Sequence, residues 1–410
     1  MTDLLSLPAA ESADAARDPA GLRSAPGTDA PYAWSEGHRA FRVRVGRLVR
    51  EAVLPHLDGW EREGRLPREL FRAAGGAGIL GVTVPPEMGG AGLDYSYAVA
   101  LAEELMRHRA TSAAVSLMVQ SNTLCPLLAL FGSAEVRREW LAPLAAGEAI
   151  GALGATEPAG GSALPHTVSC TAVREGTEWV VTGEKMFITN APIADVVLVL
   201  ARTSPGAGPL TMSLIAVPTD APGFETVAWH CKLGLEASPT GHVRLDRCRV
   251  PARLTVGRAG HGYPQMAHVL CHERLLIAVG SLALAGSVLE ETAATSAPAA
   301  AAPLARMHAW LQGARAFAYR AAGEVGAGRT DAAAASMAKF ALCELAQRVV
   351  DDCVRLRGPA AAWEDAGLER VIREVRVLSV FAGTSETMRE LYGSRLAALM
   401  RRAALEGGEG

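Results

Sequence analysis

The chain has no surplus of charge of either sign: 40 Lys and Arg stand against 43 Asp and Glu, a formal net charge of −3 over 410 residues. Without a basic excess, nucleic acid is not an expected partner. Clustered cysteines are also missing. The seven present, Cys125, Cys170, Cys231, Cys248, Cys271, Cys343 and Cys353, are scattered with no CxxC spacing, which argues against a dithiol or zinc framework and for reduced thiols in a cytoplasmic protein. No membrane-spanning run is expected. The longest apolar run, Leu275 to Leu289, is broken by glycine and serine and flanked by Glu273-Arg274 and Glu290-Glu291, so it reads as a buried core helix. The N-terminus has no basic start followed by an apolar block, so no leader peptide is expected there. What remains is 50% hydrophobic, the composition of a globular enzyme large enough for two or three packed units.

Residues 1–33 are rich in Ala, Pro, Asp and Ser without apolar periodicity, which predicts a disordered extension. From Trp34 the pattern is helical. Phe41, Val45, Leu48 and Ala52 recur at helix spacing, and Arg39, Arg42, Arg44, Arg47 and Arg50 fill the other faces, most simply as a solvated surface. Further helices are predicted over Arg68–Gly75, Tyr95–Arg107, Ala113–Phe131 and Ala134–Leu144, completing a helical unit of residues 34–152. Within it, Gly76-Ala77-Gly78-Ile79-Leu80-Gly81 matches GxGxxG, but it follows a helical segment where a dinucleotide fingerprint must follow a strand. Residues 153–256 hold short β-type runs at Val168–Val173, Trp179–Val181, Val196–Leu200, Ser213–Val217 and His242–Leu245. From 257 to 405 helix formers return, through Ala267–Ala293, Leu304–Gly323, Ala332–Leu356 and Leu368–Phe381. The expected architecture is α+β: a helical domain, a small β domain and a helical bundle.

Two segments carry the chemistry. The first is Gly154-Ala155-Thr156-Glu157-Pro158-Ala159-Gly160-Gly161-Ser162, and the second is Gly183-Glu184-Lys185-Met186-Phe187-Ile188-Thr189-Asn190. Together, and with the α, β, α order, they resemble the acyl-CoA dehydrogenase family over roughly residues 60 to 395. The resemblance implies bound FAD. Thr156, Gly161 and Ser162 would supply hydroxyls and close backbone approach, Phe187 a stacking wall, and Thr189 a further hydroxyl. The family's usual Asp after Gly-Ser is replaced by Ala163.

Oxidising an acyl thioester between Cα and Cβ needs a carboxylate to take the α-proton. Many family members carry this base just before a Gly-Thr pair near the C-terminus, where this chain reads Phe381-Ala382-Gly383-Thr384-Ser385-Glu386. Ala382 cannot take a proton. The isovaleryl and long-chain types place the base on the first helix of the C-terminal domain, before an Arg, and here that place reads His272-Glu273-Arg274. By resemblance Glu273 is the expected general base, raised by an apolar pocket. The Ala382 backbone N–H remains able to hold the thioester carbonyl, with Thr384 and Glu386 toward the flavin and Arg274 toward substrate or neighbouring backbone. A helix N-cap is the other reading of Thr384.

His268, Cys271, His272 and Glu273 have helical ligand spacing, but with no further ligand cluster no metal is expected. Two family segments that reach the ADP half of FAD across a subunit interface are replaced, by Thr295 to Pro303 and by Arg355 to Ala361, which leaves Arg355 or Arg357 as candidate phosphate contacts. Arg373-Glu374 stands where the family has Arg-Asp, in keeping with a retained helix. The resemblance further implies a homodimer or homotetramer, a separate electron acceptor, and an acyl thioester on CoA or a carrier protein, with a biosynthetic role suggested by the divergence. The competing readings are a flavin-dependent oxygenase on the same fold and a non-catalytic member without FAD.

Overall fold

The computed structural model describes residues 34–161, 164–206, 208–229, 231–359, 361 and 366–407. The expected N-terminal arm and the Ser162 and Ala163 positions lie outside the described residues. Helix α1 (Glu36–Leu48) starts where the Ser35 hydroxyl accepts the His38 N–H and runs on into a π-helical turn, Val49–Val53. It is followed by α2 (Leu57–Glu63), α3 (Arg68–Gly76), and α4 (Tyr95–Arg107), which Asp94 caps. The glycine-rich stretch after α3 is a turn, with Gly78 at φ 68° and no strand before it. Next come α5 (Thr111–Met118), α6 (Cys125–Phe131), α7 (Ala134–Val136) and α8 (Ala142–Ala146). The expected single helix over 113–131 is thus divided by a π-helical turn, Val119–Leu124. Such turns are concentrated at functional sites because the extra residue re-aims the side chains around it.

The middle unit is one eight-stranded sheet. Its strands are β1 (Gly151–Gly154), β2 (Thr171–Glu175), β3 (Glu178–Thr189), β4 (Val196–Arg202), β5 (Met212–Pro218), β6 (Phe224–Trp229), β7 (Thr240–Pro251) and β8 (Thr255–Val256), with a short helix α9 (Leu164–Thr167) after β1. The order is β6-β7-β3-β2-β4-β5-β8, and β1 pairs in parallel with β4. The Val196–Leu200 run is buried on both faces and pairs along its whole length with β5. Strand β6 is not among the runs expected from the sequence; it is an edge strand paired only with β7, and none of its residues is fully buried. β3 bulges against β7 between Val181 and Gly183 and between Lys185 and Ile188. Bulges re-aim side chains, and the second lies at Phe187.

The C-terminal unit consists of α10 (Gly262–Thr295), α11 (Ala301–Gly326), α12 (Ala332–Arg357), α13 (Ala366–Val377) and α14 (Ser385–Gly407). Helix α10 packs against α4, α11 and α12, so it is apolar on most of its circumference. Residues 111–131 and 262–295 are long and apolar enough to cross a membrane by composition, yet 72% and 83% of their apolar windows are buried inside the protein. The helix expected over Leu368–Phe381 stops at Val377, and residues 378–381 form a turn that leads to Ala382 and Gly383 at φ of 55° and 102°.

A polar cluster lies where α2, the start of α5, α13 and the loop before β7 meet. Glu374 is fully buried and neither of its carboxylate oxygens has a hydrogen-bond partner among the described residues. Glu61 accepts the Ala237 N–H at 3.1 Å, and Arg373 pairs with Glu369 at 2.8 Å and with Glu236. Burial pushes the Glu374 carboxyl up to about 8; nearby Glu61 and Glu236 add to this, while the Thr111 hydroxyl and Arg370 oppose it.

Candidate active site

The Thr156 and Phe187 segments meet at one end of the sheet, where the Met186 N–H donates to Thr156 O at 2.9 Å. Behind them lies a fully buried ion pair that the sequence reading missed. Lys185 Nζ sits 2.7 Å from Glu157 Oε1 and also donates to Leu200 O at 2.6 Å and Ala155 O at 3.3 Å. Glu157 accepts from Ser169 N and Oγ at 2.7 and 2.6 Å and from Cys170 N at 3.0 Å. Burial raises the Glu157 carboxyl, but Lys185 and the Ser169 donors outweigh it and leave it below its usual range. A buried pair with this many donors and acceptors satisfied fixes a unique loop geometry. The available signal was a charged residue at Lys185 inside an otherwise strand-like run.

On that support Phe187 is presented at φ 59° and remains 61% exposed, with the Trp229 ring edge-on at 4.8 Å and 87°. A left-handed backbone at an aromatic residue is costly, and it turns a flat apolar face outward. Thr156 and Thr189 are half-buried beside it. A Cβ on Gly161 would come 3.2 Å from Thr156 Cγ2, so glycine keeps this loop tight.

The second half of the site is on α10. Glu273 is buried, and it lines an apolar cavity of about 10 Å³ together with Met106, Val115, Met118, Val119, Ile277, Leu378 and Phe381. Burial pushes its carboxyl above the ordinary glutamate value, against the opposing Thr123 hydroxyl and the charges of Arg274 and Lys339. Val119 and Thr123 both belong to the π-helical turn, so that irregularity shapes the wall facing the carboxylate. Beside the cavity, Arg274 Nε donates to Ala382 O at 3.1 Å. The Ala382 N–H, at the left-handed turn, has no acceptor among the described residues.

Helix α5 joins the two halves. Val115 and Met118 line the cavity, and the next residue after Val115, Ser116, accepts at its carbonyl from Asn190 Nδ2 at 3.0 Å. Asn190 follows directly on Thr189. Of the other expected residues, Thr384 serves as the N-cap of α14, its Oγ1 accepting the Thr387 N–H at 3.2 Å. The Glu386 carboxylate is exposed near Arg389. Arg355 pairs with Asp352 at 3.0 Å and Arg357 with Glu291 at 3.0 Å. His272 bonds Thr330 Oγ1 at 2.9 Å, packs 5.1 Å from the His268 ring, and is held down at about 4 by burial and His268.

Three family models match: the acyl-CoA dehydrogenase N-terminal domain over residues 35–148, its middle domain over 152–248 and its C-terminal domain over 260–397. A long-chain specific acyl-CoA dehydrogenase of Sus scrofa mitochondria is 32% identical over 380 residues, covering 88% of this chain and 87% of the relative. An acyl-CoA dehydrogenase structure from Geobacillus kaustophilus superposes with a TM-score of 0.84 at 30% identity, covering 88% and 98% of the two chains. A glutaryl-CoA dehydrogenase structure from Mycobacterium smegmatis, in complex with FADH2, gives 0.83 at 28% identity, covering 89% and 95%.

Proposed function

The chain belongs to the acyl-CoA dehydrogenase family, and from that premise we propose that it oxidises an acyl thioester between Cα and Cβ with Glu273 as the general base. One observation carries the assignment: a buried carboxylate lines an apolar cavity whose edge holds a backbone N–H without an acceptor, that of Ala382.

The residues at this end of the sheet fit FAD. Phe187 offers an exposed flat face held by a bulge, and Thr156, Thr189 and Gly161 supply hydroxyls and a close-approaching backbone around it. When bound, FAD supplies the acceptor for the hydride leaving Cβ. The remaining work falls to the chain. The cavity walls exclude water, so Glu273 is desolvated and takes the Cα proton near neutral pH. The Ala382 N–H meets the thioester carbonyl and steadies the negative charge that grows on it as the proton leaves. Arg274 holds the next peptide group, through Ala382 O, and so fixes the residue that carries the N–H.

The cavity is small, but two of its walls are methionines, unbranched side chains that repack to admit an acyl group. Met106 closes the end remote from Glu273: it sits on Gly280, where a Cβ would fall 2.8 Å from Met106 Cγ. Gly280 is seven residues from Glu273, about 10 Å along α10. The relatives' names support CoA as the carrier, with a separate electron acceptor completing the reaction and a carrier-protein thioester as the alternative substrate in a biosynthetic setting. The functional units are 34–152, 153–256 and 257–405, and the exposed Leu391, Leu399 and Met400 on α14 support self-association into a dimer or tetramer.

Anaerobic addition of butanoyl-, octanoyl- or dodecanoyl-CoA to the FAD-loaded protein bleaches the flavin, and Glu273→Gln abolishes bleaching while retaining the flavin. Undiminished bleaching in that variant removes Glu273 from the mechanism. Product that forms only with reduced flavin and oxygen favours an oxygenase instead.

A further inference from the structure

The buried cation Lys339 has no part in the scheme above, yet it reaches the site from a different helix. It lies on α12 and is 1% exposed. Its ammonium donates to Leu378 O at 2.6 Å and lies 5.7 Å from the centre of the Phe381 ring. Leu378 and Phe381 both line the Glu273 cavity. They also begin the turn that ends at Ala382, whose carbonyl Arg274 grips at 3.1 Å. The segment 378–382 is therefore fastened at both ends by a cation bonded to a backbone carbonyl, from α12 at one end and α10 at the other.

We propose that Lys339 is a positioning residue: it fixes the 378–382 turn so that the Ala382 N–H is aimed at the thioester carbonyl, and it keeps a positive charge beside Glu273. Three observations support this. First, a fully buried lysine is costly and burial holds its pKa below the ordinary value, yet the ammonium is engaged by the Leu378 carbonyl and the Phe381 ring, and Glu273 and Glu344 favour its charged form. Second, the turn it holds is irregular, with Ala382 and Gly383 both left-handed. Such a turn needs outside contacts to stay in one conformation. Third, Lys339 and Arg274 are the charged groups acting on Glu273, from α12 and from its own helix, while the π-helical turn contributes only the uncharged Thr123 hydroxyl. Lys339 is in turn faced by Cys343 and Glu344 on α12 and by Arg274 and Glu273 on α10.

A base must be ionised to accept a proton, so a nearby cation extends the working range of Glu273 downward in pH. In Lys339→Met, therefore, the acid limb of kcat/KM moves up by about one pH unit. kcat falls by about tenfold to a hundredfold through loss of alignment, with FAD still bound. Lys339→Arg keeps the charge but not the single ammonium contact, so its limb stays at the wild-type position while kcat remains reduced.

The experiment measures kcat and kcat/KM against pH for the FAD-loaded wild type and both variants, with the best substrate of the acyl-CoA panel. A Lys339→Met protein with wild-type limb and kcat overturns the proposal. So does a Lys339→Arg protein whose limb is displaced, and that variant decides the matter if Lys339→Met does not hold FAD. The inference rests on Glu273 as base. Turnover by Glu273→Gln would remove that reading itself, whereas an inactive Glu273→Gln beside an unmoved Lys339→Met removes only Lys339.

Discussion

Glu273 and Glu374 are both buried, both carried on C-terminal helices, and both pushed above the ordinary glutamate value by burial. Their surroundings differ. Glu273 faces a cavity, with Arg274 and Lys339 near it and an acceptor-free N–H at the cavity edge. Glu374 faces only protein, among Glu61 and Glu236, with no hydrogen-bond partner for either oxygen among the described residues. A perturbed carboxyl is thus common to a site of chemistry and to a joint between structural units. Access for a reactant separates the two, and the balance of neighbouring charge differs as well: Arg274 and Lys339 favour ionisation of Glu273, whereas at Glu374 the pull of Arg370 is opposed by Glu61 and Glu236.

The largest test of this contrast is a pair of isosteric changes. Glu273→Gln is expected to lower kcat by about 10²- to 10⁴-fold, the usual worth of a general base, with the melting temperature nearly unchanged. Glu374→Gln is expected to leave kcat within about twofold, since it contributes packing rather than proton transfer. Equal losses in both would erase the distinction.

The second test is pH. The folded Glu374 carboxyl titrates at about 8 against an unfolded value near 4.5. The native state therefore binds more protons than the unfolded state between these values. Its contribution to stability is complete below about pH 4.5 and is lost as pH rises through about 8. Thermal melts from pH 5 to 9 should show a falling midpoint that Glu374→Gln flattens. For Glu273 the signature is in rate: kcat/KM falls as pH drops below the raised value of the carboxyl, because the protonated base cannot act.

Smaller effects sharpen the Glu273 side alone. Phe187→Ala is expected to weaken FAD retention about fivefold by removing a stacking wall worth about 1 kcal/mol, read by flavin released on gel filtration. Met106→Ala should extend activity toward the longer acyl-CoA substrates with little change for the shortest, because it opens the cavity only at the end remote from the base. A uniform change across the panel would show that Met106 is not at that end.

Much of this was legible in the sequence. Helix α4 begins and ends at the residues expected, and the alternation of helical, β and helical regions is set by apolar periodicity alone. The pairing of a small residue at Ala382 with Glu273-Arg274 led to the carboxylate that the fold buries at the cavity. The π-helical turn at 119–124 was not legible, since it differs from an α-helix by one inserted residue and leaves the apolar spacing intact. Lys185 and Lys339 were missed for a shared reason. A charged residue in an apolar run reads as a solvent-facing position, and its burial depends on acceptors distant in the chain, at Glu157 and Leu378. Thr384 shows the limits of a single role, because its hydroxyl caps a helix whatever else it meets.

The left-handed turn at Ala382 has a consequence for sequence variation. With the carboxylate on α10, the residue at 382 contributes a peptide group and no side-chain chemistry, so it is filtered by backbone conformation alone. Glycine and asparagine, which enter φ near 55° most readily, should be accepted there, while valine and isoleucine should not. The position is then open to drift within a narrow alphabet set by geometry, and a descendant of this chain could change that residue without touching its proton chemistry.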